Sequence, residues 1–314
     1  MGKLTLDPSG IQRQSMADPT LLELETAMLK KELVTGRFIE MQNDSRGLEY
    51  TRCMIRYKTK NIVVPVSQMG IDFDNKSQEG YSENEWVRRT QIANSMLGAE
   101  VDVIIKAMKE DDFGNMMIIG SRTEAMRKKR FMYFFAERPI FREDIDEIEV
   151  RVISTAMQSI RVEAFGVEKI IKMNELSWKW MIDVREQFSV GDVIWVKVKK
   201  ITIDRENRTV DMTLSHKDLL PDTASAAIDK LEPGKDCCIG TVTGITEGTY
   251  WPIFINLDND ANIVCYGSRI ADTAMRGDKV KVAVTFIDYK RKSANGIVVG
   301  IIEDRKSTRL NSSH

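Results

Sequence analysis

The sequence predicts a mainly β chain of three tandem five-stranded barrels, with one helix ahead of the first barrel and a helical insertion within it. Three observations lead there. Short runs of alternating apolar and polar residues, bounded by Gly, Asn, Asp and Ser, recur along the body of the chain, as in Asn61–Val66, Val193–Val198 and Asn262–Tyr266. A period of two marks a half-buried strand. A glycine followed by such a run and then a polar hairpin occurs three times, at Gly98–Ile105, Gly191–Val198 and Gly277–Val284, so the pattern is an internal repeat. Each copy continues through a turn into a further apolar run (Met116–Ile119, Val210–Leu214, Ile297–Ile302) and is preceded by two or three more. About five short antiparallel strands per copy is what a small barrel of the OB type requires.

The elements follow in order. Residues 1–30 read as a polar arm and an amphipathic helix: Leu21, Leu22, Leu24, Met28, Leu29 and Leu33 recur at helical spacing behind Thr20 and Glu23, spaced as a capping box. Residues 31–122 form the first and most diverged repeat. Its insertion carries Ser82 and Glu85 at capping-box spacing, ahead of Trp86, Val87, Ile92 and Met96. Residues 123–142 are a basic and aromatic linker in which Arg127, Lys128, Lys129 and Arg130 abut Phe131–Phe135. Such cations suit phosphates and such rings suit bases, with binding that weakens as salt rises; a solvated linker helix followed by a packed aromatic segment fits equally well. Residues 143–217 are the second repeat, 218–230 a linker and 231–303 the third repeat. The last eleven residues, Asp304 to His314, match what one reading frame of a common sequencing-library adapter would translate to, and are read as an artefact, so that the natural sequence is known only to about Glu303 and further domains could be missing.

Composition removes several classes of function. With 46 Lys and Arg against 47 Asp and Glu the formal net charge is −1, so the chain is no uniformly basic coat protein and any basic surface is local. The four cysteines, Cys53, Cys237, Cys238 and Cys265, show no CxxC spacing, and the only histidines are His216 and His314. A zinc site or a nucleophile–base pair would lack its parts, and no phosphate-cradling glycine loop is present, so no catalysis, metal or cofactor is expected. His216 reads as a solvated residue just past a strand. No apolar run is long enough to span a membrane and the first ten residues lack the apolar core of a secretory signal, which predicts a cytoplasmic protein without a membrane partner.

The middle copy carries the sharpest motif. Val167–Trp178, ending in Glu175-Leu-Ser-Trp178, then Phe188-Ser-Val-Gly-Asp192, then the hairpin Ile203–Ser215 together resemble the S-one RNA-binding domain, the OB-fold module repeated in the largest small-subunit ribosomal protein. The resemblance covers roughly residues 146–217. In that family two Phe rings of the second strand and a His of the third form a base-stacking face, the second Phe preceding the His by twelve residues. In this frame the middle copy holds Met157, Ile160 and Lys172, with no ring, and keeps Lys172 with Asp204 and Arg208 of the last hairpin as polar contacts to RNA. The third copy places Trp251, Phe254 and Tyr266 in the same slots, with Asp288, Arg291 and Lys292 beside them to hold the backbone. Stacking on such rings is worth roughly 1–3 kcal/mol per base with little sequence preference; the alternative is that these are core rings of a β domain. The first copy gives Tyr50, Cys53 and Pro65, which suits a scaffolding or docking role.

The resemblance implies a non-catalytic protein that grips single-stranded RNA, or single-stranded DNA, by stacking and backbone electrostatics, in translation or RNA turnover, with a protein or ribosome partner in view. Two other readings stay open. The barrels could be a protein-assembly scaffold whose nucleic-acid face has decayed, favoured by the near-neutral charge and the missing rings. They could also be the accessory RNA-binding part of a truncated nuclease or helicase.

Overall fold

The computed structural model describes residues 18–71, 82–110, 116–142, 144–235, 237–246, 252–266, 273–290 and 292–303. The expectations placed on Trp251, on Arg291 and on residues 304–314 lie outside this set. The chain is mainly β, in three successive five-stranded sheets. The first comprises β1 (Val34–Asp44), β2 (Gly47–Tyr57), β3 (Lys60–Pro65), β4 (Glu100–Glu110) and β5 (Met116–Ser121), closed as a barrel in the order β1-β2-β3-β5-β4. The second comprises β6 (Glu147–Ala156), β7 (Ser159–Ala164), β8 (Val167–Lys172), β9 (Val193–Asp204) and β10 (Thr209–Ser215), in the order β10-β9-β6-β7-β8. The third comprises β11 (Cys237–Ile245), β12 (Ile253–Leu257), β13 (Asn262–Cys265), β14 (Lys279–Asp288) and β15 (Ser293–Glu303), again a closed barrel, β11-β12-β13-β15-β14.

Closure depends on a parallel pairing of the third and fifth strands, Ile62 with Ile118 in the first barrel and Ile263 with Ala294 in the third. The middle copy is nearly closed, with β8 and β10 as the two edges of its sheet. One residue difference accompanies this. The repeat glycines Gly98, Gly191 and Gly277 donate their N–H groups to Phe38, Val152 and Val242, which identifies these three as equivalent. Two residues earlier stand Gly36, Val150 and Gly240. A Cβ at Gly36 would lie 2.8 Å from the Arg56 carbonyl oxygen, and one at Gly240 2.7 Å from that of Asn256. The two closed barrels thus bring neighbouring backbones together at a position where the middle copy carries a valine.

The repeat glycines have a conformational cause. Their φ values are 90° at Gly98, 99° at Gly191 and 94° at Gly277, a region that side-chain-bearing residues rarely adopt, and at Gly98 and Gly191 open space surrounds the position a Cβ would take. In the second and third copies the following aspartate completes the turn: Asp192 accepts from the Ser189 N–H at 2.7 Å and Asp278 from the Met275 N–H at 2.8 Å. The chain then enters β9 or β14 with alternate residues pointing into the core, which in the third barrel is built from Val242, Ile255, Ile263, Val280, Val282 and Val298.

Four α-helices accompany the sheets among the described residues: α1 (Pro19–Lys30), α2 (Glu83–Ser95), α3 (Arg122–Arg130) and α4 (Thr223–Ile228). Helix α1 forms where expected, but its cap is Asp18, whose carboxylate accepts from the Thr20 N–H at 2.9 Å, and not Thr20. Pro19 fixes the first helical φ, and the expected cap partner Glu23 turns instead to Tyr57 and Lys58. The buried stripe is Thr20, Leu24 and Ala27, while Leu22 and Leu29 face outward. In α2 the Ser82 cap is as read, its hydroxyl accepting from the Glu85 N–H at 3.3 Å. The buried face, however, is Arg89, Ala93 and Met96, with Arg89 donating to the Ile71 carbonyl at 2.8 Å.

The described residues fall into two compact units. The first contains Met1–Arg142 together with Glu163–Glu168 and Thr202–Asp211; the second contains Glu143–Val162, Lys169–Ile201 and Met212–His314. The division does not follow the repeat boundaries, since two hairpin tips of the middle sheet belong to the first unit.

Candidate nucleic-acid interface

The first unit contains the basic run. Residues 122–130 are helix α3, capped by Ser121, and the rings Phe131–Phe135 continue it as a π-helical turn, so the expected linker is a packed element. Arg130 is buried and donates to the Gly166 carbonyl, and Lys129 donates to Asp102 and Glu163, both at 2.7 Å. Lys128 donates to the Lys31 carbonyl at 2.6 Å; Arg127 is the exposed member. The four cations therefore do not form one solvent-facing patch. They border an ionic network that sequence reading missed. Arg122, with no exposed surface, donates to Glu168 at 2.6 Å, to Glu163 at 2.8 Å and to the Met69 carbonyl at 2.8 Å. Burial pulls the Arg122 guanidinium and the Lys129 ammonium down and pushes the Glu163 carboxyl up, but the opposed charges outweigh it, leaving both cations above and the carboxylate below their ordinary pKa values.

Asp204 and Arg208 also lie in the first unit. Asp204 accepts from the Glu206 and Asn207 N–H groups at 3.0 and 2.9 Å, shaping the β9–β10 turn, and Arg208, at φ 54°, lays its guanidinium 5.9 Å from the centre of the Phe131 ring. In the first barrel the residues expected in the stacking frame are offset. The Ile55–Ile62 pair of the β2–β3 hairpin matches Ile255–Ile263 of β12–β13, so the first hairpin is one residue shorter. Met54, not Cys53, therefore stands where Phe254 stands, and Cys53 points into the core, where burial pushes its thiol up to about 12.

The second unit brings two predicted residues together. Lys172, at the end of β8, and Phe254, on β12, line the same open cleft of about 880 Å³. Phe254 is half-buried between Gly244 and Val264, and Tyr266, just past β13, is 47% exposed. Lys172 is exposed and has no ion-pair or hydrogen-bond partner among the described residues. The middle copy's other slots explain themselves: Ile160 is fully buried in its own core and Met157 is 46% exposed. Also in the third barrel, Lys292 pairs with Asp229 at 2.5 Å and Asp288 accepts from the Lys290 N–H at 3.0 Å. His216 is half-buried, its Nδ1 2.7 Å from the Trp195 carbonyl oxygen, with the Phe188 ring edge-on to it.

Sequence reading missed other cleft residues, among them Lys179, Trp180 and Arg276. The motif tryptophan, Trp178, is occupied structurally: its indole N–H donates to the Lys217 carbonyl at 2.8 Å and the Lys217 ammonium lies 4.9 Å from its ring centre. The second tryptophan, two residues later, is the one in the cleft, and its ring meets Phe254 edge-on with centroids 5.3 Å apart. That second ring was a visible signal; nothing around Arg276 was. No group of three acidic, cysteine or histidine side chains among the described residues is placed to hold a metal ion, and no helix among them is long and apolar enough to cross a membrane.

No protein-family model matches the sequence. Among curated proteins the chain is similar to Small ribosomal subunit protein bS1 of Coxiella burnetii (strain RSA 493 / Nine Mile phase I), 21% identical over 245 residues, which cover 74% of this chain and 42% of that protein. The chain thus spans less than half the length of the curated relative it matches. Among solved structures it is similar to a multidomain protein with nucleic acid binding domains from Streptococcus pneumoniae TIGR4, at 11% identity and a TM-score of 0.19, over 90% of this chain and 79% of that one. A second is Drosophila Unr CSD456, at 10% identity and a TM-score of 0.17, over 86% of this chain and 97% of that one. At such scores these two likenesses carry no argument. The chain is thus built of three five-stranded units in OB-type strand order and is similar over most of its length to a ribosomal relative.

Proposed function

We propose that the protein is a non-catalytic, cytoplasmic binder of single-stranded RNA, acting in translation or RNA turnover through its second and third repeats. The observation that carries this reading is the convergence of Lys172 and Phe254, drawn from two repeats, on one open cleft. An unpaired ammonium beside an accessible ring is the pairing that single-strand binders use, the ring for a base and the cation for a phosphate. The test is titration of the full chain with labelled single-stranded RNA at two salt concentrations, beside Phe254→Ala and Lys172→Ala variants whose folding is checked by circular dichroism. Binding should weaken as salt rises, fall with Phe254→Ala at both salts, and lose part of its salt dependence with Lys172→Ala. Absence of binding at micromolar concentration would refute the proposal. A second reading, a protein-assembly scaffold, is favoured by the exposed apolar residues Ile239, Phe286, Ile297 and Val299 on the outer face of the third barrel.

A further inference from the structure

Tandem binding modules ordinarily act as separate weak sites joined by a linker, gaining affinity by effective concentration alone. The second unit is built otherwise. The backbone N–H of Trp180 donates to Asn262 Oδ1 at 3.0 Å, and Asn262 Nδ2 donates to the Trp178 carbonyl at 2.7 Å. Asn256 Nδ2, also of the third barrel, donates to the same Asn262 oxygen at 3.0 Å, and Lys179 pairs with Asp260 at 2.5 Å. On the other side Arg276 donates to the Ile182 carbonyl and reaches the Met157 sulfur at 3.4 Å. Side-chain amides, an ion pair and an arginine thus fasten the loop after β8 to the third barrel on two sides, so the cleft walls are held in one arrangement before any ligand arrives.

We infer that the middle and third repeats share one composite site for a single-stranded nucleic acid, in which Trp180 supplies the ring that the middle repeat's own strands lack. The inference rests on the RNA-binding reading and deepens it. In the stacking frame the middle repeat offers only Met157, the buried Ile160 and Lys172. Trp180 reaches the same cleft from the following loop, fixed by its backbone N–H so that its ring is positioned without spending its own indole donor on the fastening. An edge-on pair covers at most one face of one ring, so Trp180 and Phe254 between them keep ring faces that the other does not occupy. Lys172 and Arg276 stand at the same cleft as cations, and Asn174 and Gln158 bring amides able to bond base edges. Rings, cations and amides in one preorganised cleft fit a short stretch of nucleotide chain; the organisation removes an ordering cost that flexibly linked modules would meet on binding.

The test uses the full chain and a single-stranded RNA containing 4-thiouridine. Photo-crosslinking to the wild-type protein should attach the oligonucleotide to peptides containing Trp180 and Phe254. Trp180→Leu, which keeps the backbone bond to Asn262, should weaken binding roughly five- to hundredfold, and Trp180→Phe should restore most of the loss. Asn262→Ala should weaken binding although Asn262 does not line the cleft, with the third barrel still folded by circular dichroism and hydrogen exchange. Wild-type binding by Trp180→Leu, with crosslinks confined to the Phe254 peptide, would overturn the composite site while leaving the RNA-binding reading intact. Failure of the wild-type protein to bind would instead remove that reading and this inference with it. The wild-type crosslink decides the point even if a variant fails to fold.

Discussion

Replacing Arg122 by methionine should destabilise the first unit by about 3–5 kcal/mol. The figure follows from the site. The arginine has no exposed surface and serves three acceptors: Glu168 at 2.6 Å, Glu163 at 2.8 Å and the Met69 carbonyl at 2.8 Å. Methionine fills a similar volume, so little of the loss arises from a cavity. The loss arises because two carboxylates and a carbonyl remain where water cannot reach them, and a buried charge deprived of its partner is costly. Glu163 keeps Lys129 at 2.7 Å, which places the expectation toward the lower end of the range. At a urea m-value of about 1–3 kcal/mol/M the midpoint should fall by roughly 1 M or more. Urea denaturation followed by hydrogen exchange on peptides from 116–135 reports the first unit directly. The double variant Arg122→Met with Glu163→Gln should be less damaging than the sum of its parts, because neutralising Glu163 removes one of the orphaned charges. A loss below about 0.5 kcal/mol for Arg122→Met, or strict additivity of the pair, would refute the argument that this network holds helix α3 to the hairpin tip at Glu163–Glu168.

Three further outcomes follow from the same geometry. Glu163 has a folded pKa below its ordinary 4.5, so its contribution is fully present above that value and is lost as pH falls through the depressed one; acid titration of the first unit should show stability declining below pH 4.5, and the decline should be smaller in Glu163→Gln. Gly98→Ala should cost about 1–3 kcal/mol through φ alone, since nothing lies near its Cβ position, whereas Gly240→Ala should cost more because its Cβ would press on the Asn256 carbonyl oxygen at 2.7 Å; chemical denaturation of the two variants gives the order, and the reverse order would contradict the closure argument. At pH 8 a thiol reagent should modify exposed Cys237 promptly and reach Cys53 and Cys265, both pushed up to about 12 by burial, only on unfolding, as mass spectrometry of labelled peptides would show.

The sequence by itself determined the repeat, the strand periodicity and the glycine that opens each fourth strand, because a positive φ and a period of two are requirements that single residues and their neighbours meet locally. Its Ser82 cap held for the same reason, while the Thr20 cap gave way to Asp18 once Pro19 claimed the first helical position. Phe254 and Lys172 were singled out from their slots in the repeat, and both line the cleft. Tertiary structure decided the rest. A hairpin one residue shorter turned Cys53 into the core and left Met54 in its slot, since one residue of register exchanges the two faces of a strand. The basic run around Lys129 looked like a nucleic-acid patch because its partners, Asp102 and Glu163, lie 27 and 34 residues away and carry no local mark. Trp180 and Arg276 become cleft residues only when amide and carbonyl groups far along the chain fasten them there. Backbone conformation is written in adjacent residues, whereas the partner of a charge or a ring is chosen by the packing of distant segments.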